Sequence, residues 1–258
     1  MFWSLKNLCD FYRLQGKLYV FRPVKSKKEL LAEWVINSAL KSGELKHGQA
    51  VAEITAGNFG IALAEQCRKT GSKLFVIPIG IFSKKTEEKL KSFDNVEIVE
   101  TKNSFDFSVL KEKLEQTICE HNAYSFRQFG NTKQIEFYKN LLGDVFDGIK
   151  IDAVFEKVGT GATLRAVREK LKENGCFADC FVAKPDERKI QTDHLIFSAA
   201  DVGFVWPHDN TEYKNNFEKV LWDTERLSEL NYAKLSLFCA VEWMKNNPRK
   251  NAFVFIGD

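Results

Sequence analysis

The sequence predicts an α/β protein whose parallel strands are covered by helices on both faces. Three observations carry that prediction. Short apolar runs alternate with helical-period segments along most of the chain. The runs are close to continuously apolar, as strands buried on both faces require. Of the 258 residues, 44% are hydrophobic, which is enough for a large core, with too little Gly and Pro for a disordered or fibrous chain.

The elements follow in order. Between Ser26 and Leu40, Leu30, Leu31, Trp34, Val35, Ala39 and Leu40 recur at helical spacing, and Ser42-Gly43 ends the helix. Ala50–Ile54 reads as a strand, Asn58–Lys69 as a helix stopped by Thr70-Gly71, and Lys73–Pro78 as a second strand. Helix Lys84–Ser92, strand Val96–Val99 and helix Phe107–Glu120 repeat the unit. Helix Lys133–Phe146, strand Ile151–Phe155, helix Ala162–Glu173 and strand Ala178–Ala183 continue it. The pattern weakens into polar, aromatic-spotted loops over 185–222. An amphipathic helix at Glu225–Lys245 and a strand at Ala252–Ile256 close the chain. No internal repeat or linker is evident, so any division into domains is made by packing.

Lys plus Arg number 38 and Asp plus Glu 35, interspersed, giving a net charge of +3 and no basic field for nucleic acid or a membrane surface. A small-molecule site is the expectation. No apolar run approaches the about 18 residues of a membrane span. The first ten residues carry no cationic leader or long apolar stretch, so a cytoplasmic protein is expected. The six cysteines form no CxxC pair or zinc-like cluster, and no metal site is expected. They read as reduced thiols, with Cys176 and Cys180 the one pair close enough in sequence to form a redox couple. Phe2, Trp3, Trp206 and Trp222 read either as interface or as core.

In an open parallel sheet, ligands bind beyond the carboxyl ends of the strands. Two strand-to-helix turns stand out. Glu53-Ile-Thr-Ala-Gly-Asn-Phe-Gly60 puts a hydroxyl, small residues and Asn58 at a helix start, where backbone amides suit a carboxylate. Val158-Gly-Thr-Gly-Ala-Thr163 places two glycines and the hydroxyls of Thr160 and Thr163 at another, a cup for phosphate. Gly, Asn and Thr also cap helices and form tight turns without a ligand. The second turn lacks the Gly-Lys-Ser/Thr of a nucleotide loop.

Thr55-Ala-Gly-Asn-Phe-Gly60 resembles the asparagine loop, Thr-Ser-Gly-Asn-Thr-Gly, of the cysteine synthase / cystathionine β-synthase-like family of fold-type II pyridoxal phosphate enzymes. Gly159-Thr-Gly-Ala-Thr163 resembles that family's Gly-Thr-Gly-Gly-Thr phosphate loop, and Arg127-Gln-Phe-Gly-Asn131 is similar to its Gln-Gln-Phe-x-Asn segment. The family's Schiff-base lysine lies in Asn-Pro-x-x-Ser-x-Lys. Arg22-Pro-Val-Lys-Ser-Lys-Lys28 stands in that place, thirty positions ahead of Asn58. The intervening Lys41-Ser-Gly-Glu-Leu-Lys-His-Gly48 resembles the family's Lys-x-Gly-x-Leu-Lys-Pro-Gly turn. Read without the family, Lys25, Lys27 and Lys28 form a solvated basic helix start, and Lys27 is the adjacent competitor for the role.

The resemblance covers about 23–172 and implies two three-layer αβα parallel-sheet domains of the tryptophan synthase β-like kind. The smaller, mobile one spans 29–128, and the larger spans 1–28 plus 129–258. It implies pyridoxal 5'-phosphate held by Lys28, Asn58, Gly159, Thr160, Gly161, Ala162 and Thr163. The catalytic base is then Lys28, and the amino acid substrate lies against Thr55, Ala56, Gly57, Phe59 and Gln128. The implied reaction is β-replacement on an O-activated serine-like amino acid through an aminoacrylate. Alternatives are β-elimination of the dehydratase or cysteine lyase kind, and a non-catalytic binding homologue. A homodimer is also implied.

The sequence departs from the family pattern at several points. Ala56 stands for serine and Phe59 for threonine, which removes two hydroxyls and is expected to bring a ring into the pocket. Ser228-Glu-Leu-Asn-Tyr-Ala-Lys234 replaces a Gly-x-Ser-Ser-Gly helix start. Lys189-Ile-Gln191 is similar to part of a His-Lys-Ile-Gln stretch. Asn251–Asp258 resembles the strand that leads to the serine facing the pyridine nitrogen, and the sequence ends where that serine is expected. With no Thr-Pro-Leu segment ahead of Leu18, the expectation is a shortened or divergent member.

Overall fold

The computed structural model describes residues 1–185, 196, 202–207, 212–213, 216–227, 230 and 233–257. The Lys189-Ile-Gln191 stretch, Ser228, Glu229, Asn231, Tyr232 and Asp258 lie outside them. The chain divides into two compact units, one of Met1–Val24 with Thr132–Asp258 and the other of Lys25–Asn131.

In chain order the elements begin with β1 (Phe2–Ser4), α1 (Lys6–Phe11), β2 (Leu18–Phe21), α2 (Lys27–Ser42), β3 (Val51–Thr55) and α3 (Asn58–Lys69). Next come β4 (Leu74–Pro78), α4 (Lys84–Lys91), β5 (Val96–Ile98), α5 (Phe107–His121), α6 (Lys133–Leu142) and β6 (Ala153–Glu156). The rest are α7 (Ala162–Glu173), β7 (Asp179–Ala183), β8 (Gly203–Val205), α8 (Phe217–Glu225), α9 (Ala233–Asn246) and β9 (Ala252–Phe255).

The first unit holds a sheet in the order β1-β2-β9-β6-β7-β8, parallel except for β1. Side chains alternate across it. Ala252 and Val254 enter the core under α1, α8 and α9, whereas Phe253 and Phe255 enter the core under α6 and α7. The unit is thus three layers. Viewed from β6, the chain steps outward through β7 and β8, then returns on the opposite side as β9. The border between β6 and β9 is a topological switch point, where open sheets bind ligands. The second unit holds the parallel sheet β3-β4-β5, and Tyr124 adds a bridge beside Val51. Ala52, Ile54, Phe75 and Ile77 face Leu110 and Leu114 of α5. The pleat sends Val51, Glu53 and Thr55 to the other face.

Several expectations are corrected. The amino-terminal β1, α1 and β2 were not foreseen, because three- and four-residue strands carry too little periodicity. Gly16 is the local signal: a Cβ there would sit 1.9 Å from the Lys250 carbonyl oxygen, so the chain reaches β9 only with a bare Cα. The helix expected over 133–146 stops at Leu142, where Gly143 turns at φ +56°. The helix expected over Glu225–Lys245 is α9, which starts at Ala233, while Glu225 ends the separate helix α8, closed where Arg226 adopts φ +55°. Strand β8 and helix α8 lie in the stretch read as loop. Phe2 and Trp3 pack against the two cores of their unit, while Trp222 is exposed under the Arg226 guanidinium. All six cysteines are free thiols, with Cys119 exposed.

Candidate active site

In the 25–131 unit, β3 ends at Thr55 and α3 begins at Asn58 with Gly57 as its N-cap. No side chain of the cap residue serves the helix. The Thr55 hydroxyl does so from the strand side, accepting the Gly57 amide at 3.1 Å and the Gly60 amide at 3.2 Å. Both glycines are required by contact. A Cβ on Gly60 would lie 2.7 Å from Thr55 Cγ2, and one on Gly57, at φ +132°, would lie 2.8 Å from Thr86 Cγ2. Thr55 is buried, and Ala56 and Asn58 are exposed at the turn. The ring of Phe59 does not enter a pocket as expected. It is 2% exposed and packs 6.4 Å from Phe126, whose edge Trp34 covers. Its apolar area is better removed from water inside its own unit.

Lys28 stands in the first turn of α2. A capping box fixes that turn: the Ser26 hydroxyl accepts the Glu29 amide at 3.1 Å and the Glu29 carboxylate accepts the Ser26 amide at 2.9 Å. Lys28 Nζ lies 5.5 Å from the Phe59 ring centroid, a cation–π contact that places the amine on the asparagine loop. Lys25 points elsewhere, exposed and paired with Glu33 at 2.9 Å. Lys27 is half-buried.

Gln128 is buried against the same strand end. Its side-chain amide donates to the Ile54 carbonyl at 2.6 Å and its backbone amide to Glu53 Oε1 at 3.1 Å. Beside it, Arg127 takes φ +58° and donates its amide to Glu53 Oε2 at 2.8 Å, while its guanidinium pairs with Glu115 through both nitrogens. Glu53 is 1% exposed, and burial pushes its carboxyl up to about 7 against the pull of these amides.

In the other unit, β6 runs into Val158-Gly-Thr-Gly and α7 starts at Ala162. Gly161 caps α7 at φ +83° without a side chain of its own to bond the first turn, and the Thr160 hydroxyl accepts the Ala162 amide at 3.4 Å. A Cβ on Gly159 would meet nothing within 4 Å, which leaves the mouth of the loop open. Thr160, Ala162 and Thr163 are buried. The Thr160 hydroxyl donates to Gln134 Oε1 at 3.1 Å, and its carbonyl accepts the Ile196 amide at 2.9 Å. Arg165 ties the Ile196 carbonyl to α7 at 2.9 Å. Behind the loop, burial and the Glu156 carboxylate drive the Tyr138 phenol upward, and the Thr163 hydroxyl opposes them.

Residues 11–198, which include both loops, match the family described as pyridoxal-phosphate dependent enzyme. The chain belongs to that family. It is 29% identical to a cysteine synthase of Staphylococcus aureus (strain N315) over 228 residues, which are 84% of this chain and 72% of the relative. It is 30% identical to the O-acetylserine dependent cystathionine beta-synthase of Bacillus subtilis (strain 168) over 176 residues, or 66% of this chain and 56% of the relative. Its fold is similar to the crystal structure of O-acetylserine dependent cystathionine beta-synthase from Helicobacter pylori, with a TM-score of 0.77 at 18% identity, covering 100% of this chain and 91% of that one.

The residues fit the cofactor of a pyridoxal-phosphate dependent enzyme. A primary amine suits its aldehyde. A glycine-capped helix start with two hydroxyls and an open glycine suits its phosphate. Among the described residues no cluster of His, Cys, Asp or Glu is arranged to hold a metal ion. No described helix is long and apolar enough to cross a membrane. Sequence reasoning missed Glu53, Gln134, Tyr138 and Arg165. Glu53 carried a signal, a charge inside an otherwise apolar strand. The others act through residues distant in sequence.

Proposed function

We propose that the protein catalyses β-replacement on an O-activated serine-like amino acid. The observation that carries this reading is the seating of Lys28 on Phe59 of the asparagine loop, in a chain that belongs to a pyridoxal-phosphate dependent family. The similarity to a cysteine synthase and to an O-acetylserine dependent cystathionine beta-synthase supports the choice of substrate.

In this reading Lys28 and Asn58 hold the cofactor's reactive end, and Gly159, Thr160, Gly161, Ala162 and Thr163 hold its phosphate through amides and hydroxyls. When bound, pyridoxal 5'-phosphate supplies the electron sink that makes the substrate's Cα–H acidic. The Lys28 amine takes the Cα proton. The β-substituent then leaves with its electron pair, an incoming nucleophile bonds to Cβ, and the Lys28 ammonium returns a proton to Cα. Thr55, the Gly57 amide region and Gln128 bind the substrate carboxylate, and the Thr55 hydroxyl also holds the loop that presents them. Ala56 and the inward-turned Phe59 leave the loop with fewer hydroxyl donors than the family pattern, so weaker carboxylate binding than in that pattern is expected. The 29–128 segment acts as the smaller, mobile domain, and the protein works as a cytoplasmic homodimer.

The test is product analysis with O-acetylserine and a thiol acceptor in the presence of pyridoxal phosphate. A thioether amino acid as the main product is expected. Keto acid and ammonia as the main products would indicate elimination and overturn the reading.

A further inference from the structure

Glu53 is a buried carboxyl that the proposed chemistry does not use. It stands two residues before Thr55 on the same face of β3, and its two oxygens take different partners. Oε2 accepts the Arg127 amide at 2.8 Å and lies 3.4 Å from Ser125 Oγ; Oε1 accepts the Gln128 amide at 3.1 Å. The segment is held from three other directions. Tyr124 exchanges backbone hydrogen bonds of 2.8 Å with Ala50 and Ala52, Gln128 Nε2 reaches the Ile54 carbonyl, and the Arg127 guanidinium is clamped by Glu115 of α5. Arg127 adopts a left-handed φ of +58°, which a non-glycine residue takes at a cost. That turn is what allows two successive amides to converge on one carboxyl. The segment is therefore bent around Glu53.

We propose that Glu53 is a positioning residue for substrate carboxylate recognition, fixing the Arg127–Gln128 backbone against β3 so that Gln128 is presented beside the asparagine loop. The inference rests on the reading of Gln128 as a carboxylate-binding residue given above. Among the described residues, the charged and titratable groups that face Glu53 are Arg127 and Tyr124, with Glu115 behind Arg127 and Glu44 behind Tyr124. Its neighbour in register on β4 is Val76.

The pH dependence has a definite sign. Burial raises the carboxyl from 4.5 to about 7 in the fold, so the closed segment prefers the neutral form. An opened segment lets water reach Glu53 and returns it toward its ordinary value. The hold is then complete below about 4.5, declines as pH rises to about 7, and is level above that. Carboxylate binding by Gln128 weakens over the same range. A glutamine at this position stays neutral and removes the dependence.

Amide hydrogen exchange of the intact apo protein, corrected for the intrinsic pH dependence of exchange, tests the hold without any substrate. Protection of the Arg127 and Gln128 amides is expected to fall on the order of a hundredfold between pH 4.5 and 7 in the wild type and to stay flat in Glu53→Gln. Unchanged wild-type protection across that range overturns the proposal, and this arm needs no variant to fold. With the cofactor bound, Glu53→Ala is expected to raise KM for the amino acid about tenfold with little change in kcat. An unchanged KM, or a kcat that falls equally, overturns the substrate role. Failure of the wild type to turn over any β-substituted amino acid would overturn the proposed function instead, and the exchange result would still judge the hold.

Discussion

Thr55 shows how a single side chain sets the shape of the site. Its hydroxyl accepts the amides of Gly57 and Gly60, and its methyl group excludes a Cβ at Gly60. Thr55 is also the post on which the loop is wound. Thr55→Val keeps the volume and leaves two buried amides without their acceptor. The expected loss is about 2 kcal/mol of stability, with most of it restored by Thr55→Ser, as measured by urea denaturation. Phe59 was legible as a departure from the family pattern, but its direction was not. A ring at the first turn of a helix can face outward or inward, and here Phe126, itself packed on Trp34, supplies an inward partner from a position remote in sequence. Glu53 was hidden for a similar reason, since its partners lie more than seventy residues further along the chain.

At the scale of elements, the parts that position chemistry are the ends of helices. The capping box at Ser26 and Glu29 fixes the turn that carries Lys28, and α7 starts on a glycine cap whose first amide the Thr160 hydroxyl accepts. Ser26→Ala removes the acceptor for the Glu29 amide. A loss of about 1 kcal/mol in thermal denaturation is expected, accompanied by weaker pyridoxal phosphate binding, because the lysine turn is no longer anchored. Unchanged binding with the full stability loss would mean that the cap serves the helix alone. Most helices and inner strands were legible because their apolar period is strong. The breaks were not: Gly143 ends α6 early, and Arg226 ends α8 in a left-handed turn, a conformation that sequence assigns more readily to Gly or Asn. The short edge strands β1 and β8 carried no period to read.

At the scale of the whole molecule, the order of the two loops along the chain identified the family before any coordinates, and the match over 11–198 bears that out. Sheet topology adds what motif order does not contain, since the Val158–Thr163 loop leaves β6 at the point where strand order reverses. The identity of the anchoring lysine is the claim on which the functional account turns. Three lysines crowd the start of α2, and the contact with Phe59 distinguishes Lys28 from Lys25, which is bound to Glu33. The most direct test is the absorbance spectrum of the purified protein with pyridoxal phosphate, compared with Lys28→Ala and Lys27→Ala. The account predicts a long-wavelength band from lysine-bound cofactor in the wild type and in Lys27→Ala, and none in Lys28→Ala. A band that survives in Lys28→Ala, or no band in the wild type, would contradict it.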